Sequence, residues 1–252
     1  MKTRNLILFF ILVYITLSIP ITAAEVTVAT TDWKPYSGRD LPDYGFTSEI
    51  VTKAFARGGY TAQFSFMPWK RARRETEAGR IDVLSPAYFS AERTRIYAVS
   101  EPYSSSTVVF CTKKDKIITY NKLADLKPYK IGVVTGYLNS PEFDRADYLQ
   151  KDPAPADLPN LKKLLKGRVD IIVIDKFAAI DLLTNNPDLK ATADDIAFLD
   201  PPVAVHPIHI LISKNAPEFA QKLEAFNRGL KEIIEDGTVE KIIKKHGLSV
   251  DK

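Results

Sequence analysis

The sequence predicts an α/β protein of two similar lobes, each built on a mostly parallel sheet with helices on its faces. Three observations lead to this fold class. Short apolar runs alternate with segments of helical periodicity, and the alternation starts again near residue 130. The 252 residues suit one large domain or two modest ones, at about 150 residues per domain. The hydrophobic content of 45% supplies a full core, and a single cysteine excludes a disulfide scaffold.

The first 24 residues predict a signal peptide. Two basic residues precede an apolar run, residues 6–15, and a proline and small residues follow it. A membrane span needs about 20 apolar residues, so the alternative of an uncleaved anchor is disfavoured. We therefore expect cleavage after Ala23 or Ala24 and an exported, soluble mature chain.

The mature chain is expected to be nearly neutral. The whole sequence carries 35 basic and 31 acidic residues, and Lys2 and Arg4 are lost with the signal peptide. The remaining net charge of about +2 does not call for a nucleic-acid partner. The basic run at residues 70–74 is followed directly by Glu75 and Glu77, which favours a solvated helix face.

The first half of the mature chain is predicted to follow the order β-α-β-α-β. The predicted elements are a strand at 26–29, a helix from Thr47 to the stop at Gly58, a strand at 63–66, a helix at 71–78 and a strand at 81–84. This order is typical of a parallel sheet with helices on its faces.

The second half repeats the pattern. Its predicted elements are a strand at 130–134, a helix begun by Ser140 and Pro141, a helix at 158–165, an interior strand at 170–175 and a helix at 177–183. Gly79-Arg80-Ile81-Asp82 recurs as Gly167-Arg168-Val169-Asp170. Since a helix that stops at glycine before a strand is common, this indicates similar topology and not a sequence repeat.

Two extended segments, residues 103–111 and 198–213, join the halves, and two amphipathic helices near 219–234 and 239–243 follow. We expect residues 1–24 to be the signal peptide, 25–104 the first part of lobe 1, 105–200 lobe 2, and 201–252 the hinge return and the rest of lobe 1. Ligands of open α/β sheets bind beyond the carboxyl ends of the strands, so the cleft between the lobes is the expected site.

Two tryptophans follow the first two strands. Trp33 and Trp69 stand at equivalent strand ends, where flat rings can form the walls of a ligand slot. Tryptophan is commonly half-buried in a core as well, so position alone leaves both roles open.

Charged candidates follow later strands. Arg93 lies in a turn begun by Ser90 and could offer a planar fork to a carboxylate, with Arg95 as the competing residue. Asp175 ends the interior strand, where it either faces a ligand cation or caps the next helix.

Motifs of catalysis and cofactor binding are missing from the sequence. No nucleophile elbow, P-loop or dinucleotide fingerprint occurs, so no cofactor and no catalytic residue is expected. His206 and His209 have no third ligand nearby and are expected to be structural, with no metal. The apolar neighbours of Cys111 predict a small buried side chain.

Residues 25–248 resemble the family 3 periplasmic solute-binding proteins, the polar amino-acid receptors of ABC importers. The resemblance is carried by Gly79-Arg80-Ile81-Asp82-Val83-Leu84, Ser90-Ala91-Glu92-Arg93, Ser100-Glu101-Pro102-Tyr103, Lys130-Ile131-Gly132-Val133 and Gly167-Arg168-Val169-Asp170 with Asp175. It implies the type II two-lobed fold with a two-strand hinge, a periplasmic monomer, a small-molecule ligand and an ABC permease as partner.

The resemblance also assigns roles to single residues. It implies that Arg93 pairs with the ligand carboxylate and that Asp175 holds its amino group. The cleft aromatics of the family fall on Trp33 and Trp69, and Ser85 matches a position that contributes a backbone or hydroxyl contact.

The chain departs from the family pattern around the expected ligand. Gly136-Tyr137-Leu138 replaces a glycine-Thr-Thr turn, and Pro86 and Tyr88 replace small polar residues. Thr30 stands where receptors of cationic ligands often carry aspartate. We therefore expect Tyr88, Tyr137 and Leu138 to line a more aromatic slot, and lysine or arginine to be less favoured ligands.

Two alternatives to transport remain open from the sequence. One is an enzyme on the same fold, similar to cyclohexadienyl dehydratase, with Glu49, Glu142 or Asp175 as the acid or base. The other is a ligand-sensing partner of a membrane receptor, which would have to act in trans. The principal prediction is a binding protein without enzymatic activity.

Overall fold

The computed structural model describes residues 24–248, so the expected signal peptide lies outside the described part except for Ala24. In this part, ten strands form one mixed sheet. The strands are β1 (Ala24–Thr30), β2 (Tyr60–Phe66), β3 (Val83–Tyr88), β4 (Tyr97–Val99), β5 (Ser104–Lys113), β6 (Lys130–Val134), β7 (Gln150–Ala154), β8 (Ile171–Asp175), β9 (Ile196–Phe198) and β10 (Ala204–Ser213).

Seven α-helices flank the sheet in the same range of residues. They are α1 (Phe46–Arg57), α2 (Trp69–Glu77), α3 (Pro141–Arg145), α4 (Asp157–Leu165), α5 (Lys176–Asn185), α6 (Phe219–Glu235) and α7 (Thr238–Lys245). None of these helices has the length and apolar character that crossing a membrane requires.

Two long strands connect two parallel half-sheets. The strand order is β2-β1-β3-β10-β5-β8-β6-β7, in which β1 runs parallel to β2 and β3, and β6 runs parallel to β7 and β8. Strands β5 and β10 pair antiparallel with each other, and each continues into one half: β10 along β3, and β5 along β8. The predicted mixed α/β fold of two lobes with a two-strand connection is confirmed.

One predicted strand is shifted. The sequence placed the third strand at residues 81–84, whereas β3 begins at Val83 and continues to Tyr88. The extension forms because β10 supplies an antiparallel partner, with Ile208 opposite Tyr88 and Leu211 opposite Leu84. This pairing carries Ser85 into the sheet and brings Tyr88 to its edge.

The C-terminal helices pack on the half-sheet of β1–β3. Phe226 and Leu230 of α6 share one buried cluster with Val28 and Phe55. Gly229 allows α6 to approach α1 closely, since a Cβ at this position would lie 2.0 Å from the backbone oxygen of Ala54 in α1. Lobe 1 is the half-sheet of β1–β3 together with α1, α2, α6 and α7. Lobe 2 is the half-sheet of β6–β8 together with α3, α4 and α5.

The single cysteine lies in the core of lobe 2. Cys111 is completely buried on β5 and free, and its burial raises the pKa of the thiol to about 12. A thiol that is both inaccessible and protonated is a small apolar group, as the sequence predicted.

Candidate ligand-binding cleft

The carboxyl ends of the parallel strands of both lobes carry a group of polar and aromatic side chains that meet across the lobes. They follow or end β1, β3, β6, β7 and β8, and they are Trp33, Tyr36, Tyr88, Tyr137, Asp157 and Asp175. This is the edge at which open α/β sheets bind ligands.

Asp175 stands at the centre of this group. It ends β8 and is 9% exposed. Its Oδ1 atom accepts a hydrogen bond of 2.8 Å from the backbone N–H of Ala178 and so caps α5. Its Oδ2 atom accepts hydrogen bonds from the hydroxyls of Tyr36, at 2.9 Å, and Ser106, at 2.6 Å. Burial raises the pKa of Asp175. The helix cap, one of the two roles considered from the sequence, is confirmed, whereas contact with a ligand cation stays a prediction.

Tyr36 joins the two lobes. It is completely buried in lobe 1, and its ring stacks on Trp33 with 4.1 Å between the ring centroids. Its hydroxyl reaches Asp175 in lobe 2. Burial and the nearby charge of Asp175 raise the pKa of Tyr36, which keeps the hydroxyl protonated and able to donate. The lobes are therefore held together by a direct hydrogen bond at the point where a ligand is expected.

Tyr88 extends this network back to lobe 1. Its hydroxyl lies 2.7 Å from Ser106 Oγ. Because Ser106 donates its own proton to Asp175, Tyr88 is the donor in this pair. The Tyr88 ring stacks on His206 at 4.5 Å and meets Trp33 edge to face at 5.9 Å. Three donors and one carboxylate thus form a continuous chain across the cleft.

Replacing Tyr36 by phenylalanine tests this bridge. We expect the ligand-free variant to lose about 1 kcal/mol of stability, the value of one buried hydrogen bond. Ligand affinity should be unchanged or higher, since the ligand no longer competes with Tyr36 for Asp175. Thermal unfolding and calorimetry measure the two effects. A tenfold loss of affinity would contradict this account and would mean that Tyr36 donates to the ligand.

Arg93 is held against Tyr88 and Trp69. Its backbone N–H lies 3.3 Å from the Ser90 hydroxyl, as the predicted turn requires, and its Nη1 donates to the backbone oxygen of Tyr88 at 2.6 Å. The guanidinium carbon lies 5.6 Å from the ring centroid of Trp69, so the two groups form a cation–π contact. Arg93 is half-buried whereas Arg95 is exposed, which favours Arg93 as the positioned arginine.

Lobe 2 contributes a second carboxylate that the sequence reasoning missed. Asp157 begins α4, directly after β7, and its Oδ2 accepts a 3.2 Å hydrogen bond from the hydroxyl of Tyr137. Its Oδ1 atom is buried and has no hydrogen-bond partner among residues 24–248. Burial raises the pKa of Asp157 to about 6, and the charge of Asp175 adds to the effect. The available signal was an acidic residue just after a strand, but β7 contains Pro153 and was not recognised as a strand.

Comparison with known proteins decides the family. Residues 26–249 match the model of the bacterial extracellular solute-binding proteins, family 3. The chain belongs to this family.

Curated relatives of this solute-binding protein bind amino acids, according to their names. The L-cystine-binding protein TcyJ of Escherichia coli (strain K12) is 27% identical over 216 residues, which cover 83% of this chain and 76% of the relative. The arginine-binding extracellular protein ArtP of Bacillus subtilis (strain 168) is 24% identical over 222 residues, which cover 86% of this chain and 83% of the relative.

Solved structures show the same fold. The amino-acid ABC transporter substrate-binding protein AbpA of Streptococcus pneumoniae, bound to L-arginine, aligns with a TM-score of 0.69 at 22% identity, over 88% of this chain and 94% of that chain. A histidine kinase sensor domain similar to periplasmic binding proteins aligns with a TM-score of 0.73 at 19% identity, over 88% and 95%. Both confirm the type II binding-protein fold.

The remaining predicted residues of this family 3 protein differ in accessibility. Tyr137 and Leu138, which follow β6, are 50% and 56% exposed. Ser85 is 2% exposed, and its hydroxyl pairs with that of Tyr103 at 2.9 Å. Thr30 is completely buried at the end of β1, and its hydroxyl has no partner within the described chain. Contacts of these side chains with a ligand stay predictions.

Two acidic residues considered for catalysis lie outside this group. Glu49 of α1 binds His246 at 2.8 Å and Lys245 at 2.9 Å on lobe 1, and Lys245 also pairs with Asp43. The ammonium group of Lys245 therefore already neutralises the carboxylates of Asp43 and Glu49, and Glu49 is the one that contacts His246. Glu142 is exposed on α3. Of the three candidates from the sequence, Asp175 alone belongs to the polar group at the carboxyl ends of the strands.

The two neighbouring histidines of β10 have backbone partners. His206 Nε2 lies 2.6 Å from the backbone oxygen of Asn139, and His209 Nδ1 lies 2.7 Å from that of Ser100. These contacts give both rings a structural role, and the one at Asn139 joins β10 to the segment before α3.

Proposed function

We propose that this solute-binding protein captures a free amino acid, or a related compound with a carboxylate and an amine, between its lobes. The observation that carries the proposal is a hydrogen-bonded network that connects an arginine of one lobe with a carboxylate of the other. Arg93 of lobe 1 and Asp175 of lobe 2 are connected through Tyr88 and Ser106. A planar guanidinium matches a carboxylate, and a buried carboxylate matches an ammonium group.

Binding requires an exchange of hydrogen bonds at Asp175. Tyr36, Ser106 and the backbone of α5 already donate to its two oxygens. A ligand ammonium therefore displaces one of these donors, and Tyr36 is the one that comes from the opposite lobe. The strands β5 and β10 connect the lobes and form the hinge about which they open and close.

The closed, loaded protein would deliver the ligand to an ABC importer in the membrane. The names of the curated relatives, which describe binding of cystine, arginine and histidine, support this class of ligand. We propose a monomer in the periplasm, cut after Ala23 or Ala24, with no nucleic-acid partner.

Calorimetric titration of the chain lacking residues 1–24 with the free L-amino acids tests the proposal. At least one should bind with one-to-one stoichiometry. Ligand at about one hundred times its Kd should stabilise the protein by about 2.7 kcal/mol in thermal unfolding. If no compound with both a free amine and a free carboxylate binds, the proposal is wrong.

A second candidate, an enzyme on the same fold, is favoured by one observation. Burial raises the pKa of Asp157 to about 6, which would provide a carboxyl group that can exchange a proton just below neutral pH. Mass spectrometry of each bound compound after long incubation with stoichiometric protein separates the candidates. A binding protein returns the compound unchanged, whereas an enzyme of the dehydratase type releases water from it.

A further inference from the structure

We propose that Asp157, held by Tyr137, binds a second positively charged group of the ligand, so that the amino acid captured here carries a cationic side chain. This inference rests on the proposed function, because it assumes that Arg93 and Asp175 hold the carboxylate and the α-amine. It adds a specificity-determining residue and narrows the class of ligand.

The unsatisfied oxygen of Asp157 is the first support. Tyr137 donates to Oδ2 and fixes the carboxylate, whereas Oδ1 is buried without a donor among the described residues. No lysine or arginine of the described chain forms an ion pair with Asp157. Buried polar groups in native proteins are nearly always hydrogen-bonded, and an unpaired carboxylate is the most costly exception. A cationic donor supplied by the ligand would remove this cost.

The position of Asp157 is the second support. The charge of Asp175 contributes to the raised pKa of Asp157, and the charge of Asp157 contributes to the raised pKa of Tyr88 in the opposite lobe. Asp157 therefore lies within electrostatic range of the residues that are proposed to hold the α-amine. The two carboxyl groups make one wall of the cleft acidic, and a ligand with two cationic groups complements such a wall.

The sheet order sets the length of the ligand. Asp175 ends β8 and Asp157 follows β7, and β6 lies between these strands. Neighbouring strands are about 4.8 Å apart, so the backbones of the two residues are separated by about 10 Å. A second amine on the β-carbon is too near the α-amine to reach Asp157. A side chain with its charge three or more carbons further out has the required reach.

This inference changes one expectation from the sequence. Thr30, where an aspartate is typical of receptors for cationic ligands, made lysine and arginine less favoured. Asp157 supplies the missing anion from the opposite lobe.

The test compares ligands of matched size that differ in one charge. Calorimetry at pH 7.5, where Asp157 is ionised, is carried out with ornithine against norvaline, lysine against norleucine and arginine against citrulline. We expect the cationic member of at least one pair to bind at least about tenfold more tightly, the value of one charge-assisted hydrogen bond. 2,3-Diaminopropionate should show no such gain.

Asp157→Asn removes the charge and keeps the acceptor for Tyr137. We expect this variant to bind the cationic and neutral members with nearly equal affinity, and to bind the neutral member as the wild type does. Asp188→Asn is the matched control, since Asp188 is an exposed carboxylate of lobe 2 whose side chain is 70% exposed. It should keep the wild-type preference.

The outcomes separate this inference from the proposed function. If both members of every pair bind equally, and both lose affinity in Arg93→Ala, the proposed function stands and the role of Asp157 is overturned. A preference that persists in Asp157→Asn overturns it as well. Failure of every compound to bind overturns both proposals.

Discussion

Replacing Arg93 by alanine should lower the affinity for the amino-acid ligand at least about 100-fold, which corresponds to about 2.7 kcal/mol. The reason is the loss of the two charge-assisted hydrogen bonds that Arg93 is proposed to donate to the ligand carboxylate. Without them the carboxylate is buried without a cation. The folded protein loses much less. Arg93 contributes one hydrogen bond to the backbone of Tyr88 and a cation–π contact with Trp69, together about 1–2 kcal/mol.

Two further variants make this result specific. Arg93→Lys keeps the charge but not the planar fork or its stacking on Trp69, so its affinity should fall between those of wild type and Arg93→Ala. Arg95→Ala removes an exposed arginine of the same turn and should change nothing. Titration calorimetry on all three, with thermal unfolding to confirm the fold, is the measurement. Wild-type affinity in Arg93→Ala would exclude Arg93 as the carboxylate partner.

Replacing Asp175 by alanine should damage both binding and stability. The change removes the cap of α5 and leaves the hydroxyls of Tyr36 and Ser106 without their acceptor in a buried site. A lost cap costs about 1 kcal/mol, and each unsatisfied buried donor costs about 1 kcal/mol or more, so we expect a loss of about 2–4 kcal/mol. Binding of the ligand should weaken at least about 100-fold, because its α-ammonium group loses the buried carboxylate proposed to hold it.

Asp175→Asn separates the charge from the hydrogen bonds. Asparagine caps a helix as well as aspartate does and can accept or donate toward both hydroxyls, so the fold should be preserved while ligand binding is lost.

The effect of this substitution on stability should depend on pH. Burial raises the pKa of Asp175 in the folded state, so its protonated form favours folding. This contribution to the free energy of unfolding is fully present below the pKa of the unfolded chain, about 3.9, and is lost as the pH rises through the pKa of the folded protein.

Melting curves of wild type and Asp175→Asn at several pH values test this dependence. The variant has no titrating group at position 175. The difference between its Tm and that of the wild type should therefore be more favourable to the variant at pH 7.5 than at pH 4. The opposite trend would mean that the three hydrogen bonds accepted by Asp175 outweigh its burial. A variant that binds ligand as tightly as wild type would remove Asp175 from the site.

The order of the long elements could be predicted from the sequence because it depends on local patterns. An apolar strand such as residues 171–175, or an amphipathic helix such as α6, shows its periodicity within a few turns of chain. The short strands β4, β7 and β9 could not be predicted, since they owe their conformation to pairing with β10, β6 and β5. The extension of β3 has the same cause.

The residues of the candidate site could be found from the sequence only in part, for a similar reason. Asp175 and Arg93 stand in recognisable local contexts, a strand end before a helix and a turn begun by serine. Tyr36 was missed because its partner lies 139 residues away, in the other lobe. Asp157 was missed because the strand before it was missed. Contacts that form when distant segments meet leave no periodic trace in the sequence.

Ser106 has a consequence for how occupancy is transmitted. It belongs to β5, one of the two strands that connect the lobes, and it lies between Tyr88 and Asp175. In the proposed function, a ligand that moves Asp175 therefore also moves a strand of the proposed hinge, and not only the walls of the cleft. The angle between the lobes would then depend on which molecule is bound, and a membrane transporter that contacts only the outer surfaces would distinguish the loaded protein by this angle.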